Sequence, residues 1–278
     1  MEEETKQSIG KLIEELTENS IEQTGSIEQK NEQPNTESIG SEVFIHITEI
    51  GKCGRKLQYT YLSNTTDFKI EKAPQHIRGL IGTTAHSAIE QLLTKGKVED
   101  GSLKGLLKEH SDGIPETVFL EARDKATQHI VKARMWLDDT PMDFSKGILE
   151  KRFYFVYKGY TFSGQLDYFD DLKQVDWKTG KKKVSSDYIT QLAGYEWLLS
   201  NNGLGSDRDW YLVFFGDEKP VSVKISGSDK EKGRRLFMEN LDKTVEMLDK
   251  VKAGEILPCQ SENMLCVYCA YRGSCNGI

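Results

Sequence analysis

The chain of 278 residues contains no apolar run long enough to span a bilayer and nothing that reads as a secretory signal. Those absences predict a reducing, cytoplasmic setting with no membrane partner. Disulfides are disfavoured there, so the five cysteines read first as metal ligands. No internal repeat is evident, which excludes a solenoid. A surplus of positive charge, the common footprint of a nucleic-acid protein, is also missing, because the net charge is -7. Residues 1–42 hold eleven Glu against three Lys, so the acid belongs to that segment and the remainder is near neutral. The same segment has almost no aromatics, is rich in Glu, Gln, Asn, Ser and Thr, and reads as a disordered acidic tail. Ile9, Leu12, Ile13 and Leu16 fall at helical spacing within it, as a frayed helix or a partner-docking segment. The rest, 43–278, is long enough for one large domain, and 37% hydrophobic with 29% charged residues is ordinary for a globular chain.

The informative stretch runs from Gly164 to Tyr195. It carries Gly164-Gln165-Leu166-Asp167, then Asp176-Trp177-Lys178, then Gln191 and Tyr195. Dense apolar and aromatic residues around a Lys158-Gly159 turn predict a hairpin over 153–169, and 173–178 reads as a third strand. Side chains alternate along a strand, so Asp176 and Lys178 share one face while Trp177 enters the core. Asp167, near the end of its strand, would lie across from Asp176. Two such carboxylates can share one Mg2+ or Mn2+, hard cations that prefer oxygen. A lysine beside them completes the parts needed to bring water against a phosphodiester. A helix follows, capped by Ser185 or Ser186 and bearing Gln191 and Tyr195 one turn apart. Packing accounts for Tyr195, but not for a polar Gln191. His86 sits at the edge of the apolar stripe Ile77, Ile81, Ala85, Ala88 and Leu92, within reach of a core site. Glu150 is a further carboxylate, read as a solvated strand terminus.

The second constellation is sulfur. Cys266-Val267-Tyr268-Cys269 and then Cys275 form a compact thiolate group, with Cys259 just before it and Cys53 far upstream. Four cysteines hold either structural zinc or an iron-sulfur cluster, and their spacing alone leaves both open. Basic residues gather at Lys52, Arg55 and Lys56, at Lys181, Lys182 and Lys183, and at Lys230, Lys232, Arg234 and Arg235. The first two groups flank the sulfur and carboxylate sites, where phosphates would meet them. Tyr59, Tyr61, Tyr188 and Tyr195 are candidates to stack on unpaired bases or to pack the core.

Further elements read as a lead-in over 43–50 to a helix starting near Lys52, a helix around His86, a polar connector over 96–115, and a helix over 116–138. Strands near 210–215 and 221–225 and a helix over 229–252 complete an α/β fold. In that order, Cys53-Gly54-Arg55-Lys56, His86, G-x-x-D, D-x-K, Q-x-x-x-Y and the terminal C-x2-C-x5-C resemble the RecB-like branch of the PD-(D/E)XK nucleases. The likeness is strongest to its iron-sulfur members, the CRISPR-associated RecB-like exonucleases and AddB-type nuclease domains, and covers about residues 44–278. It implies a restriction-endonuclease-like mixed sheet flanked by helices, with a lobe of 253–278 plus Cys53 around a [4Fe-4S] cluster. It also implies a metal-dependent DNA exonuclease, acting mainly on single strands in spacer acquisition or DNA recombination and repair, beside CRISPR integration proteins or a helicase. His86, Asp167 and Asp176 would bind metal, with Lys178, Gln191 and Tyr195 catalytic. Cys53, Cys266, Cys269 and Cys275 would hold the cluster, leaving Cys259 a spare thiol, and Arg55, Lys181 and Lys182 would meet DNA. The competing expectation is a non-catalytic DNA-binding or assembly subunit that retains the fold.

Overall fold

Alternation of apolar and polar residues through 148–178 builds the sheet on which everything else is mounted. The computed structural model describes residues 44–66, 77–98, 116–205, 207–259, 266 and 269–275. The acidic tail with its Ile9 to Leu16 stretch, and most of the 96–115 connector, lie outside them. The strands are β1 (Phe44–His46), β2 (Ile148–Tyr157), β3 (Tyr160–Phe169), β4 (Lys173–Lys178), β5 (Asp209–Phe214) and β6 (Val221–Lys224). The helices are α1 (Gly54–Thr65), α2 (Ile77–Lys95), α3 (Glu116–Asp139), α4 (Ser186–Asn201), α5 (Gly227–Lys252) and the short α6 (Arg272–Cys275). Among the described residues no helix is long and apolar enough to cross a membrane.

The six strands form one mixed sheet in the order β1-β3-β4-β5-β6, with β2 paired along the other edge of β3. β2 and β3 are the expected hairpin, turning at Lys158 and Gly159, both with positive φ (48° and 83°). β1 pairs parallel with 161–163 of β3, and β4 pairs antiparallel with only 168–169. Between those two ladders β3 lacks a partner on that edge, and the sheet forks.

Helices cover both faces, as the α/β reading expects. Trp210, Leu212 and Phe214 of β5 pack with Leu192 and Leu198 of α4 and with Phe237 and Leu241 of α5. Val213 and Phe215 face the other way, with Ile89 of α2, Trp136 of α3 and Trp177 of β4. The alternation breaks once. Leu149 and Tyr168 join the α2/α3 side, yet Phe153 and Leu166 join the α4/α5 side, so the inward face switches at Glu150 and Asp167. Glu150 takes a φ of 47° there, a left-handed backbone that a non-glycine residue adopts only when its surroundings hold it. β2 thus begins at Ile148 rather than at 150 or 153. Burial of Leu149 fixes that earlier start and places Glu150 inside the strand.

Two glycines set close approaches. A Cβ on Gly164 would lie 2.7 Å from Leu198 and 3.0 Å from Ile47, so α4 and the 3-10 turn Ile47–Glu49 press directly on β3. A Cβ on Gly216 would lie 2.3 Å from the backbone of Gly180, which locks together the loops that follow β5 and β4.

Candidate metal and nuclease site

The fork opens a cleft of about 500 Å³ lined from β3, β4, α2 and α4, with Glu150 and Arg152 of β2 and His46 and Thr48 beside them. Extending the β3–β4 register one step past the Tyr168–Val175 pair would place Asp167 opposite Asp176, the first position at which the strands have separated. Asp167 fills the gap: its Oδ2 accepts from the Trp177 backbone N–H at 2.7 Å. Its Oδ1 lies 3.1 Å from His86 Nδ1. The Trp177 ring turns into the core against Trp136 at 5.6 Å, as alternation predicts.

His86, Glu150 and Asp167 each offer a ligand atom, all within 4.8 Å of one another, the one such group among the described residues. Glu150 is the surprise, since it was expected as a solvated strand terminus. Its side chain is 13% exposed, its Oε2 accepts from Gln165 Nε2 at 2.6 Å, and its Oε1 is buried without a hydrogen-bond partner. An orphaned carboxylate oxygen beside a second carboxylate and an imidazole fits a hard divalent cation. Neither spacing nor propensity pointed to Glu150. The signal lay in a glutamate just after an apolar residue inside a strand, and the turn of the backbone then decided its direction.

Electrostatics agree. Burial, and then the Asp167 carboxylate, push Glu150 up to about 7. Burial opposes protonation of His86, but Asp167, Glu150 and Asp176 outweigh it and hold the imidazole up to about 9. Burial raises Asp176 to about 6 against the pull of Lys178. Like charges crowded in low dielectric are the signature of a site that a cation completes.

Asp176 stands beside the triad and turns towards Lys178, whose Nζ is 2.6 Å from Asp176 Oδ2. Lys178 Nζ also donates to Gln191 Oε1 at 3.0 Å and lies 4.6 Å from the Tyr188 ring centroid. Burial opposes the Lys178 charge, but Asp176 and Asp167 prevail and raise its pKa, so it remains an ammonium. Gln191 Nε2 donates to Tyr195 Oη at 2.7 Å and to Asp176 Oδ1 at 3.3 Å. One amide on α4 thereby holds both the lysine and the acid of D-x-K. Tyr195 is buried, and the carboxylates around it hold its phenol well above the usual range after burial itself.

The basic groups divide. Lys181, Lys182 and Lys183 are exposed just past Thr179 and Gly180 at one end of the cleft. Arg55 lies instead beside the sulfur lobe, its Nε donating to Leu257 O at 2.8 Å. Lys52 pairs with Asp187 at 2.6 Å and Lys56 with Glu49 at 3.0 Å. Lys230 and Arg234 turn inward, to Arg208 O at 2.6 Å and Glu196 Oε2 at 2.6 Å. Of the tyrosines considered for stacking, Tyr59 is core and Tyr61 packs against it, while Tyr188 and the buried Tyr195 line the cleft.

Cys53 caps the start of α1, and the C-terminal segment returns to it. Gln58 of α1 holds that segment through Glu255 O at 3.3 Å and Leu257 N at 3.1 Å, and Tyr59 Oη donates to Ser274 O at 3.3 Å. The Cys269 N–H bonds to Cys266 O at 3.1 Å. Cys259, expected to stand apart, has its sulfur 3.3 Å from Cys275. That hydrogen bond, then burial and the nearby Cys53, raise its thiol to about 12. Chain return after α5 therefore brings Cys53, Cys259 and Cys275 into one lobe.

A solved structure of a candidate exonuclease from Eubacterium rectale is similar to this chain at a TM-score of 0.52 and 14% identity, covering 84% of this chain and 92% of its own. The solved structure SSO0001 is more distant, at a TM-score of 0.39 and 13% identity, covering 86% and 88%. No curated protein matches the chain. The sequence profile of the PD-(D/E)XK nuclease superfamily matches residues 45–276, which include every site residue described above, and the chain belongs to that superfamily.

Proposed function

We propose that this nuclease is a Mg2+- or Mn2+-dependent DNA exonuclease acting mainly on single strands in a reducing cytoplasm. The observation that carries the metal dependence is the convergence of His86, Glu150 and Asp167 around an orphaned buried oxygen. His86, Asp167 and Asp176 hold the ion, with Glu150 as a further ligand. An ion bound there would supply positive charge against the phosphoryl oxygens. Lys178, kept protonated, positions the attacking water and screens developing negative charge rather than abstracting a proton. Gln191 sets the Lys178 ammonium and Asp176 carboxylate relative to each other, and Tyr195 braces Gln191 from below. Lys181 and Lys182 draw the polyanion into the cleft.

The sulfur lobe fits a metal group, since thiols from both ends of the domain meet there and α1 clamps the returning segment. Cys53, Cys266, Cys269 and Cys275 are the proposed ligands of a structural [4Fe-4S] cluster, by resemblance to the RecB-like iron-sulfur nucleases. That resemblance also supports a role in spacer acquisition or recombination, alongside CRISPR integration proteins or a helicase. A tetrathiolate zinc is the second reading, favoured by the 3.3 Å approach of Cys259 and Cys275, close to the sulfur spacing of about 3.8 Å that Zn–S bonds of about 2.3 Å impose.

The test is degradation of an end-labelled single strand with Mn2+ by protein purified without oxygen. Asp176→Ala and Lys178→Ala should each lower the rate on the order of 10²-fold or more while bound iron and sulfide stay constant. Unchanged cutting by both variants refutes the site, and stoichiometric zinc in a colourless preparation refutes the cluster.

A further inference from the structure

The metal triad has a polar neighbour that the hydrolytic assignment leaves without a role. Arg152 pairs directly with Gln165 in the β2–β3 ladder, and its guanidinium donates to Gln165 Oε1 at 2.9 Å. Gln165 Nε2 in turn donates to Glu150 Oε2 at 2.6 Å. Only one amide orientation serves both, because the reverse would set NH2 against guanidinium and oxygen against carboxylate. Arg152 is exposed and lines the cleft together with His46 and Thr48. Of its five N–H donors, one is engaged by Gln165, so the fork is left to face the cleft. His46 does not add a fixed charge there: burial keeps it neutral by lowering its pKa, Glu49 opposes that, and Arg152 and Lys56 reinforce it.

The cleft therefore has a cationic rim at Arg152, an acidic centre at Glu150, Asp167 and Asp176, and a cationic turn at 181–183. That sequence of charges suits a polyanion crossing the centre, with its scissile phosphate over the metal ligands and flanking phosphates at the two basic ends. Arg152 stands two residues beyond Glu150 on one strand, and the single Gln165 amide bridges their side chains, a separation on the scale of one nucleotide. We propose that Arg152 binds the backbone phosphate adjacent to the one hydrolysed, and that Gln165 is a positioning residue tying this phosphate site to Glu150.

The inference rests on the nuclease reading and refines its substrate site. It is tested by fluorescence anisotropy of a labelled single strand in Ca2+, which is expected to support binding without cutting, across a series of salt concentrations. Arg152→Ala should weaken binding about three- to tenfold and reduce the slope of log affinity against log salt by about 0.7, the value for one phosphate contact on a single strand. Arg152→Lys should keep the slope. Gln165→Leu should lower Mn2+ affinity without DNA by about 10-fold, measured by calorimetry. Unchanged affinity and slope in Arg152→Ala, with wild-type binding intact, overturn this inference alone. A fall in Mn2+ affinity with an unaltered salt slope in that variant shows Arg152 acting only through Gln165, and also overturns it. Failure of the wild type to bind DNA at any salt overturns both the inference and the nuclease reading.

Discussion

At the scale of single residues, the chemistry rests on carboxylates held where they would rather be neutral. The Glu150 acid, ordinarily near 4.5, is pushed up to about 7, and the imidazole of His86, ordinarily near 6.5, up to about 9. The signs follow from linkage. Glu150 ionises in the unfolded chain first, so metal-free stability falls as pH rises from about 4.5 to 7. The His86 contact with Asp167 stabilises fully below about 6.5 and is lost as pH rises through about 9. Both changes weaken the metal-free protein on going alkaline, and both are reversed by a divalent cation, which needs Glu150 and His86 deprotonated. The rise in melting temperature caused by Mg2+ should therefore be larger at pH 8.5 than at pH 6, read by thermal denaturation with and without chelator. Glu150→Ala should abolish most of that difference. The D-x-K residues share a face that alternation in a strand makes legible in the sequence, and Asp167 was placed only by its position near the end of the neighbouring strand. Glu150 was not, because its direction depends on one left-handed residue.

At the scale of elements, the site depends on how closely α4 lies on β3. Leu198 and Ile47 occupy the space that a Gly164 side chain would need, and the same helix carries Gln191 onto Lys178 and Asp176. Gly164→Ala should cost about 1–3 kcal/mol through overpacking, seen as a lower denaturant midpoint with unchanged slope. The element order and helix α4 with its Ser185 cap were readable, since Ser185 Oγ does accept from the Tyr188 N–H at 3.3 Å. The fork was not, since nothing local in β3 reveals that β1 and β4 divide its edge between them.

At the scale of the whole molecule, the domain closes when the segment after α5 returns to α1. Gln58, buried at 8% exposure, satisfies two backbone groups of that segment with one amide. Gln58→Leu keeps the volume but strands both groups, at about 1–3 kcal/mol each. It should expose the C-terminal segment to limited proteolysis, while leaving the carboxylate cleft's metal affinity unchanged. Cys53 was expected to meet Cys266, Cys269 and Cys275, and the sulfur that lies 3.3 Å from Cys275, with Cys53 nearby, is that of Cys259. The place of Cys259 among them was not expected, because sequence spacing says nothing about where a chain turns after a helix ends.

The sequence alone determined which chemistry was present and in what order. Strand alternation and helical spacing are local, so they fixed the faces of Asp176, Lys178, Gln191 and Trp177 without reference to anything distant. Tertiary structure alone decided which groups from separate elements share a site: Glu150 with His86 and Asp167, Arg152 with Gln165, Cys259 with Cys275. Those pairings arise from the fork in β3, the reversed face of β2 and the return of the chain end onto α1. Each is set by long-range packing and strand pairing, which no short-range periodicity encodes.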